Sequence, residues 1–188
     1  SDVRDTTGVL FSTDSETLAV GGTTAGGKLV LHSGDQQRIG KTSISTGRWQ
    51  QLTFTKDDRT MRVYLDGNSK PEIELAVSIS QPLKGVLIGS DGTEGTTLDG
   101  KVDEVAIFDR ALEGDDIAQL YKVAGVVPPP RPKPTIVLGA KPVDANARKT
   151  YAHAVLASKP VSYWRLHDDS RGNASDAVGE NPGAYEID

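Results

Sequence analysis

Two pairs of acidic side chains have a spacing that could support chemistry. Glu72 and Glu74 stand two residues apart where polar and apolar residues alternate, so a strand would place both carboxyls on one face. Glycoside hydrolysis needs two carboxyl groups, about 5–5.5 Å apart for retention and about 6.5–9.5 Å apart for inversion. Glu186 and Asp188 have the same spacing, and neither pair is accompanied by an aromatic platform for a sugar ring. The alternation favours Glu72 and Glu74 as the solvent-facing side of a strand.

The other reactive residue types form no catalytic or metal-binding pattern in the sequence. There is no cysteine, which removes disulfides, thiolate metal sites and a cysteine nucleophile. The three histidines, His32, His153 and His167, share no spacing typical of a metal or catalytic site. Serine, histidine and acidic residues do not occur together as a triad, although a triad is recognised by geometry rather than by sequence position. We therefore expect a protein that is not an enzyme.

Composition narrows the class of protein and its partners. The 188 residues exceed a typical domain of about 100–150 residues, and the hydrophobic fraction of 36% is enough for one sizeable core. The net charge of −5 and the scattered lysines and arginines argue against a nucleic-acid partner. No apolar run approaches the roughly 20 residues that span a bilayer. With no signal peptide in the sequence and no initial methionine, we expect a piece of a larger protein.

Short strands separated by turn residues dominate the first two thirds of the sequence. The alternation is clearest where Met61, Val63 and Leu65 interleave with Arg62 and Tyr64, which places the two sets on opposite faces. Strands spaced about 8–12 residues apart with glycine or aspartate turns between them favour an antiparallel sandwich or barrel. The predicted strands cover residues 28–33, 37–44, 49–55, 61–65, 72–79, 86–88 and 101–108.

Helical spacing replaces alternation from Glu113 to Ala124, where apolar residues recur every three or four positions. Acidic residues fill the first turn, Lys122 lies in the last turn and Gly125 follows, as the helix dipole and the glycine preference after helices favour. We therefore predict a short helix that ends the strand-rich region.

A proline-rich linker follows this helix. Five of the ten prolines lie between 128 and 134, and proline favours an extended, semi-rigid chain. A second helix is predicted over 144–158 and should stop before Pro160, after which residues 161–166 have the composition of a strand. Few large apolar side chains occur over 135–188, so this part is too polar for us to expect it to fold alone.

An ordered series of motifs runs through the first 125 residues. It passes from Trp49 through Tyr64-Leu-Asp-Gly67 and Leu87-Ile-Gly89 to Leu98-Asp-Gly-Lys-Val-Asp-Glu-Val-Ala-Ile-Phe-Asp-Arg-Ala-Leu112, and ends with Ile117-Ala-Gln-Leu-Tyr121. Each motif alone is weak, but in this order they resemble the second half of a laminin-G-like, or concanavalin A-like lectin/glucanase, domain. The resemblance implies an all-β fold, an antiparallel jelly-roll sandwich with a short C-terminal helix.

The motif that opens this family's pattern lies after the linker. Pro160-Val-Ser-Tyr-Trp-Arg-Leu166 resembles the first strand of such a domain. The resemblance therefore implies three parts: 1–125, a sandwich without its first strands; 126–143, the proline-rich linker; and 144–188, the start of a second repeat. Because missing strands leave sheet edges open, residues 151–188 could fold back onto the sandwich, exchange with a neighbouring copy or meet other chains.

The resemblance also suggests site residues. Some family members hold Ca²⁺ at the rim of the sandwich through aspartates and carbonyls, and this ion prefers about 6–8 oxygen ligands. Aromatic rings stack on sugars in lectin sites, so Trp164 and Tyr64 are the ligand-binding candidates, whereas Trp49 is expected in the core. The calcium candidates are Asp91, Asp99 and Asp103, and the residues expected to have structural roles are Trp49, Asp66, Gly67 and Gly100, with Asp66-Gly67 as a hairpin turn.

These observations predict a non-catalytic binding or adhesion module of a secreted bacterial multidomain protein, located outside the cell, at its surface or in the periplasm. The expected partner is a glycan or a surface protein, and Ca²⁺ is the one cofactor suggested. The alternative is a structural repeat that self-associates through residues 151–188 by strand complementation or exchange.

Overall fold

The computed structural model describes residues 8–21, 25–77, 85–125, 145–166 and 172–185, with only the backbone over 145–149. The strands of the first part are β1 (Gly8–Ser12), β2 (Glu16–Val20), β3 (Lys28–Ser33), β4 (Gln36–Ser43), β5 (Leu52–Lys56), β6 (Thr60–Leu65), β7 (Ile73–Ala76), β8 (Leu87–Ile88) and β9 (Val105–Ile107). Next come helices α1 (Gly114–Ala124) and α2 (Ala145–Ala157), then strands β10 (Ser162–Trp164), β11 (Asn173–Ala174) and β12 (Gly183–Ala184).

Two antiparallel sheets form a sandwich around the main core. One sheet has five strands in the order β4-β3-β2-β1-β8, and the other has three in the order β5-β6-β7. Apolar side chains from β2 and β3 pack against those from β6 and β7, and the rings of Phe11 and Phe54 meet across the two sheets with centroids 4.9 Å apart. The all-β prediction is confirmed: strands carry the fold, and the helices lie outside the two sheets.

Strand β6 has buried residues on both of its faces. Met61 and Val63 lie in the core between the sheets, whereas Tyr64 belongs to a second apolar cluster on the opposite face. The alternation predicted from the sequence is therefore correct, but the face that carries Tyr64 is covered by protein rather than by solvent. The second cluster also takes residues from the segment before α1 and from α1, α2 and β10: Leu112, Ile117, Leu120, Ala152, Val155 and Tyr163.

Helix α1 begins and ends where the sequence predicts. The backbone N–H of Glu113 donates to the Asp116 carboxylate (3.3 Å), and Gly125 takes the left-handed conformation (φ 58°) that closes the helix. Its buried residues are Ile117 and Leu120, which face α2 and the second cluster. Neither of the two helices in the described ranges is long and apolar enough to cross a membrane.

The prediction that Trp49 lies in the core is wrong. Strand β5 begins only at Leu52, and Trp49 follows the turn at Thr46-Gly47 with 46% of its surface exposed. Trp49 is therefore not held in the sheet. The residues of this region that pack against the core are Leu52 and Phe54. Residues 78–79 of the strand predicted at 72–79 lie outside the described residues, and β7 ends at Ala76.

The Asp66-Gly67 turn also differs from the two-residue hairpin that its sequence suggests. Both residues do adopt left-handed conformations (φ 50° and 67°), yet β7 begins only at Ile73. The longer connection packs against α1, because a Cβ on Gly67 would lie 2.3 Å from that of Tyr121. The turn residues thus position the helix as well as the strands.

A buried ion pair joins the two sheets. Glu16 on β2 and Lys56 on β5 lie 2.7 Å apart, with side chains only 4% and 7% exposed. The second carboxylate oxygen of Glu16 accepts a hydrogen bond from the Thr13 hydroxyl (2.6 Å). With both charges desolvated, removing one partner leaves the other buried and uncompensated, which is strongly destabilising.

We therefore expect Lys56→Met to lower the free energy of unfolding by about 3–5 kcal/mol, because the Glu16 carboxylate stays buried without its partner. Urea unfolding at neutral pH measures this loss. The matched control is Arg110→Met, which breaks the exposed Arg110–Asp116 pair (2.8 Å) and should cost less than about 1 kcal/mol. Equal losses for the two variants would contradict a special role of the buried pair.

Candidate functional site

The part of the chain after the linker pairs with the last strand before it. Strand β10 runs antiparallel to β9, with Ser162 opposite Ile107, Tyr163 opposite Ala106 and Trp164 opposite Val105. The backbone N–H of Val161 also donates to the carbonyl of Ile107 (2.7 Å). The Tyr-Trp-Arg-Leu segment therefore contributes a strand that pairs with β9. We call the β9–β10 pairing the seam.

A partly buried polar cluster lies at the seam. Tyr163 is fully buried, and its hydroxyl donates to one carboxylate oxygen of Glu104. The guanidinium of Arg165 lies against the other oxygen of Glu104, with Nε at 3.4 Å and Nη2 at 3.5 Å. Burial first and the Glu104 carboxylate second raise the pKa of the Tyr163 phenol, so the hydroxyl stays a donor over the physiological range.

Glu104 owes its position to an unusual backbone. Its φ of 58° is in the left-handed region, which residues other than glycine rarely adopt. Strand β9 therefore starts only at Val105, and the strand predicted over 101–108 shortens to three residues. The sequence suggests Asp103 as a calcium candidate, whereas the residue that contacts β10 across the seam is Glu104. The signal that could have identified Glu104 is a tyrosine in β10 followed two residues later by an arginine just after that strand.

Apolar packing flanks this polar cluster. Four residues from before the linker contribute to the second cluster: Tyr64, Leu112, Ile117 and Leu120. We call these residues, together with the edge of β9, the acceptor groove. Ala152 and Val155 of α2, together with Tyr163, fill it from the other side. Full burial of a large apolar side chain stabilises by about 1.5–3 kcal/mol, so this packing is the main source of stability for the docked segment.

The residues after β10 wrap its outer side. The backbone N–H groups of Tyr163 (2.9 Å) and Val178 (3.0 Å) donate to one oxygen of Asp176, and Trp164 Nε1 donates to the Asn181 carbonyl (2.9 Å). Desolvation alone would raise the pKa of Asp176, but these backbone donors outweigh it and lower the pKa to about 2. The Asn181 amide closes the structure by donating to the Ser162 hydroxyl (2.9 Å).

The two ligand-binding candidates occupy different environments. Tyr64 is only 6% exposed, since its ring packs in the acceptor groove, and it presents almost no surface to a ligand. Trp164 is half-buried and lies against Gly183, whose position would bring a Cβ within 3.6 Å of Nε1. Of this pair, Trp164 alone offers part of its ring to solvent.

The candidate catalytic carboxylates are engaged in structural contacts. Glu72 accepts hydrogen bonds from the backbone N–H groups of Lys41 (2.8 Å) and Thr42 (2.9 Å), and also from the Thr42 hydroxyl (2.8 Å). Desolvation opposes these donors, but together they lower the pKa of Glu72. Glu74 instead pairs with Arg62 (3.0 Å), and Glu186 and Asp188 lie outside the described residues. Glu72 therefore joins β4 to β7 at the end of the sandwich.

The three calcium candidates do not form one cluster. Asp91 accepts hydrogen bonds from the Thr96 hydroxyl (2.5 Å) and the Thr93 backbone (2.9 Å), which lower its pKa and shape its own loop. Asp99 and Asp103 are exposed. In the described ranges, no group of three or more histidine or acidic side chains converges on a possible metal position. Calcium binding stays a prediction.

Of the residues expected to have structural roles, Asp66 and Gly67 make clear structural contacts. Asp66 accepts hydrogen bonds from Arg48 Nη2 (2.8 Å) and from the Gln51 backbone (3.0 Å), so its carboxylate holds the chain that enters β5. Gly67 allows the close approach of α1. Gly100 lies in an exposed bend before β9.

A two-sheet antiparallel sandwich with a helix packed outside one sheet defines a jelly-roll module of the lectin-like class. The sequence matches the laminin G model of the concanavalin A-like lectin/glucanases superfamily over residues 2–118, and the chain belongs to this family.

The comparisons also found one similar solved structure. It is the crystal structure of an S-layer domain-containing protein from Clostridium thermocellum ATCC 27405, with 23% sequence identity and a TM-score of 0.36. The match covers 62% of this chain and 64% of that chain, which is just under two thirds of the other structure. No curated protein matches the sequence.

The low pKa of Asp176 predicts that acid loosens the seam. Because the folded pKa, about 2, lies below the ordinary value of 3.8, the ionised group stabilises the fold above about pH 4. This contribution is lost as the pH falls through the folded value. In a Trp49→Phe background, Trp164 is the remaining tryptophan, and we expect its fluorescence to change between about pH 4 and pH 2.

The control for this experiment is an Asp176→Asn variant in the same background. It should flatten the fluorescence change in the acid window, whereas Asp35→Asn, in the exposed turn between β3 and β4, should leave it in place. If Asp176→Asn keeps the full change, another group is responsible for the acid response.

Proposed function

We propose that this chain is a non-catalytic binding module of a secreted bacterial multidomain protein, acting at or outside the cell surface on carbohydrate or a surface partner. Membership of the concanavalin A-like lectin/glucanases superfamily carries the proposal, since lectins and glucanases both bind carbohydrate. One fold hosts many functions, so the site must decide between binding and hydrolysis. The contacts of Glu72 and Glu74 support binding, because both carboxylates already hold parts of the sandwich in place.

Trp164 supports a carbohydrate ligand. The residue is only half-buried, and its indole N–H donates to the Asn181 carbonyl (2.9 Å). A ring held in one orientation loses little freedom when a ligand stacks on it, which favours affinity. Trp49 is more exposed, but it lies in a connection before β5 and serves as the comparison.

A glycan array followed by calorimetry tests this proposal. We expect at least one glycan to bind, and Trp164→Ala to weaken it by about tenfold, which corresponds to about 1.4 kcal/mol. The matched control is Trp49→Ala, which removes an exposed indole away from the seam and should keep full affinity. Trp164→Phe, which retains an aromatic ring, separates loss of the ring from loss of the fold.

Two outcomes would contradict the proposal. The absence of binding to any glycan would remove the carbohydrate version and leave a protein partner. Hydrolysis of a glucan that disappears in Glu72→Gln or Glu74→Gln would show that the module is an enzyme.

A second function is favoured by one observation, the seam itself. Residues from both sides of the linker share one apolar cluster and one two-stranded sheet. A structural repeat that self-associates by strand complementation or exchange would use this arrangement, since an edge strand is a ready partner for another chain.

Light scattering over a concentration series tests self-association. We expect the mean mass to rise from one chain toward two as the concentration increases, because the docked segment can be supplied by another copy at no cost in contacts. A mass of one chain at every concentration would exclude this second function and leave the first untouched.

A further inference from the structure

We propose that the acceptor groove is a docking site for a second copy of this chain, which fills it with its own residues 151–166. This inference rests on the self-association proposed above and gives it a site, a register and a recognition motif. The exchanged assembly would contain the seam twice, once for each groove.

The contacts across the seam divide cleanly between two parts of the chain. Every acceptor residue comes from before the linker, and every docked residue comes from after it. The 126–144 segment that joins them lies outside the described residues. The same contacts therefore form whether one chain or two supply the halves, which is the condition for exchange of an identical element.

The polar cluster specifies which strand the groove accepts. Tyr163 of β10 and Arg165 just after it both contact the Glu104 carboxylate, as residues two apart along an extended chain can. The Tyr163 ring enters a fully buried position, where its hydroxyl requires an acceptor, and the Glu104 carboxylate provides one. A tyrosine followed two residues later by arginine is therefore the motif that the groove recognises, and a second copy carries it.

The helix that precedes this strand adds a second point of recognition. Ala152 and Val155 are three residues apart and lie on one face of α2, where they pack in the same cluster as Ile117 and Leu120 of α1. A docked segment must present this helical face and the Tyr-x-Arg strand in the correct order. That requirement favours a copy of the chain over an unrelated strand.

The linker sequence bears on how strongly the chain's own segment competes for the groove. Five prolines between 128 and 134 are typical of an extended, semi-rigid connection, and the length and stiffness of a linker set the effective concentration of the segment that it tethers. A second copy then competes with the chain's own segment for the groove. The balance should shift toward the exchanged form as protein concentration rises.

Cysteine pairs placed across the seam test where β10 docks. The natural chain has no cysteine, and Ile107 and Ser162 are directly opposite, at a separation that a disulfide can bridge. We would prepare one full-length chain with Ile107→Cys and another with Ser162→Cys, unfold and refold them together, and oxidise. Neither chain alone can form this bond, so a covalent dimer of the two different chains requires β10 of one on β9 of the other.

We expect the mixed sample to give the covalent heterodimer, in an amount that rises with concentration. A chain with both substitutions is the positive control, since it shows that the disulfide forms when the register is correct. Thr97→Cys mixed with Ser162→Cys is the matched negative control, because Thr97 is exposed and lies outside the seam.

Each result has a defined meaning. If the doubly substituted chain forms its disulfide but the mixture gives no more heterodimer than the Thr97→Cys control, the docking site is wrong. Light scattering of the same mixture then separates the two proposals. A mass above one chain without the heterodimer places self-association at another surface, and a mass of one chain excludes self-association altogether.

Discussion

The three-stranded sheet must be covered on both of its faces, and the rest of the architecture follows from this constraint. Met61 and Val63 require the five-stranded sheet on one side, while Tyr64 requires a cover on the other. Helix α1 supplies only part of that second cover through Ile117 and Leu120. The docked segment supplies the remainder with Val155 and Tyr163. Separating it would expose several large side chains, each at a cost of about 1.5–3 kcal/mol.

The same constraint explains why a polar segment is ordered at all. Residues 145–166 and 172–185 have few large apolar side chains, and α2 has little amphipathic character to stabilise it alone. What orders them is the pairing with β9, the buried Tyr163 ring and the Glu104 contacts. The docked segment and the sandwich therefore depend on each other.

Local patterns predicted the parts of the fold that local chemistry determines. The alternation in β6 and the ends of α1 were predictable because strand period, dipole and glycine cap are all encoded within a few residues. The strands β1 and β2, Gly8–Ser12 and Glu16–Val20, were missed, although both contain apolar residues that pack in or beside the core. The exposure of Trp49 was missed because the start of β5 depends on pairing with β6 rather than on the composition of the segment.

The site was predictable only in part, for the same reason. The Tyr-Trp-Arg-Leu segment could be recognised from the sequence. Its contact with Glu104, however, joins residues 59 positions apart and depends on the left-handed backbone of Glu104, which the local sequence does not predict. Likewise, the burial of Tyr64 follows from packing against α1 and the docked segment. Long-range contacts of this kind depend on tertiary packing. The alternation of polar and apolar residues within a strand does not predict them.

The two proposed functions use opposite faces of β10, so they do not compete for the same side chains. In an extended strand, Tyr163 and Arg165 face one side and Ser162 and Trp164 face the other. The first side is occupied by Glu104 and the acceptor groove, and the second carries the Asn181 contacts and the partly open Trp164 ring. A chain that docks its strand on another copy therefore keeps the Trp164 face available. Exchange would bring two such faces into one assembly, and a glycan with repeated units would then bind with the avidity of two linked sites.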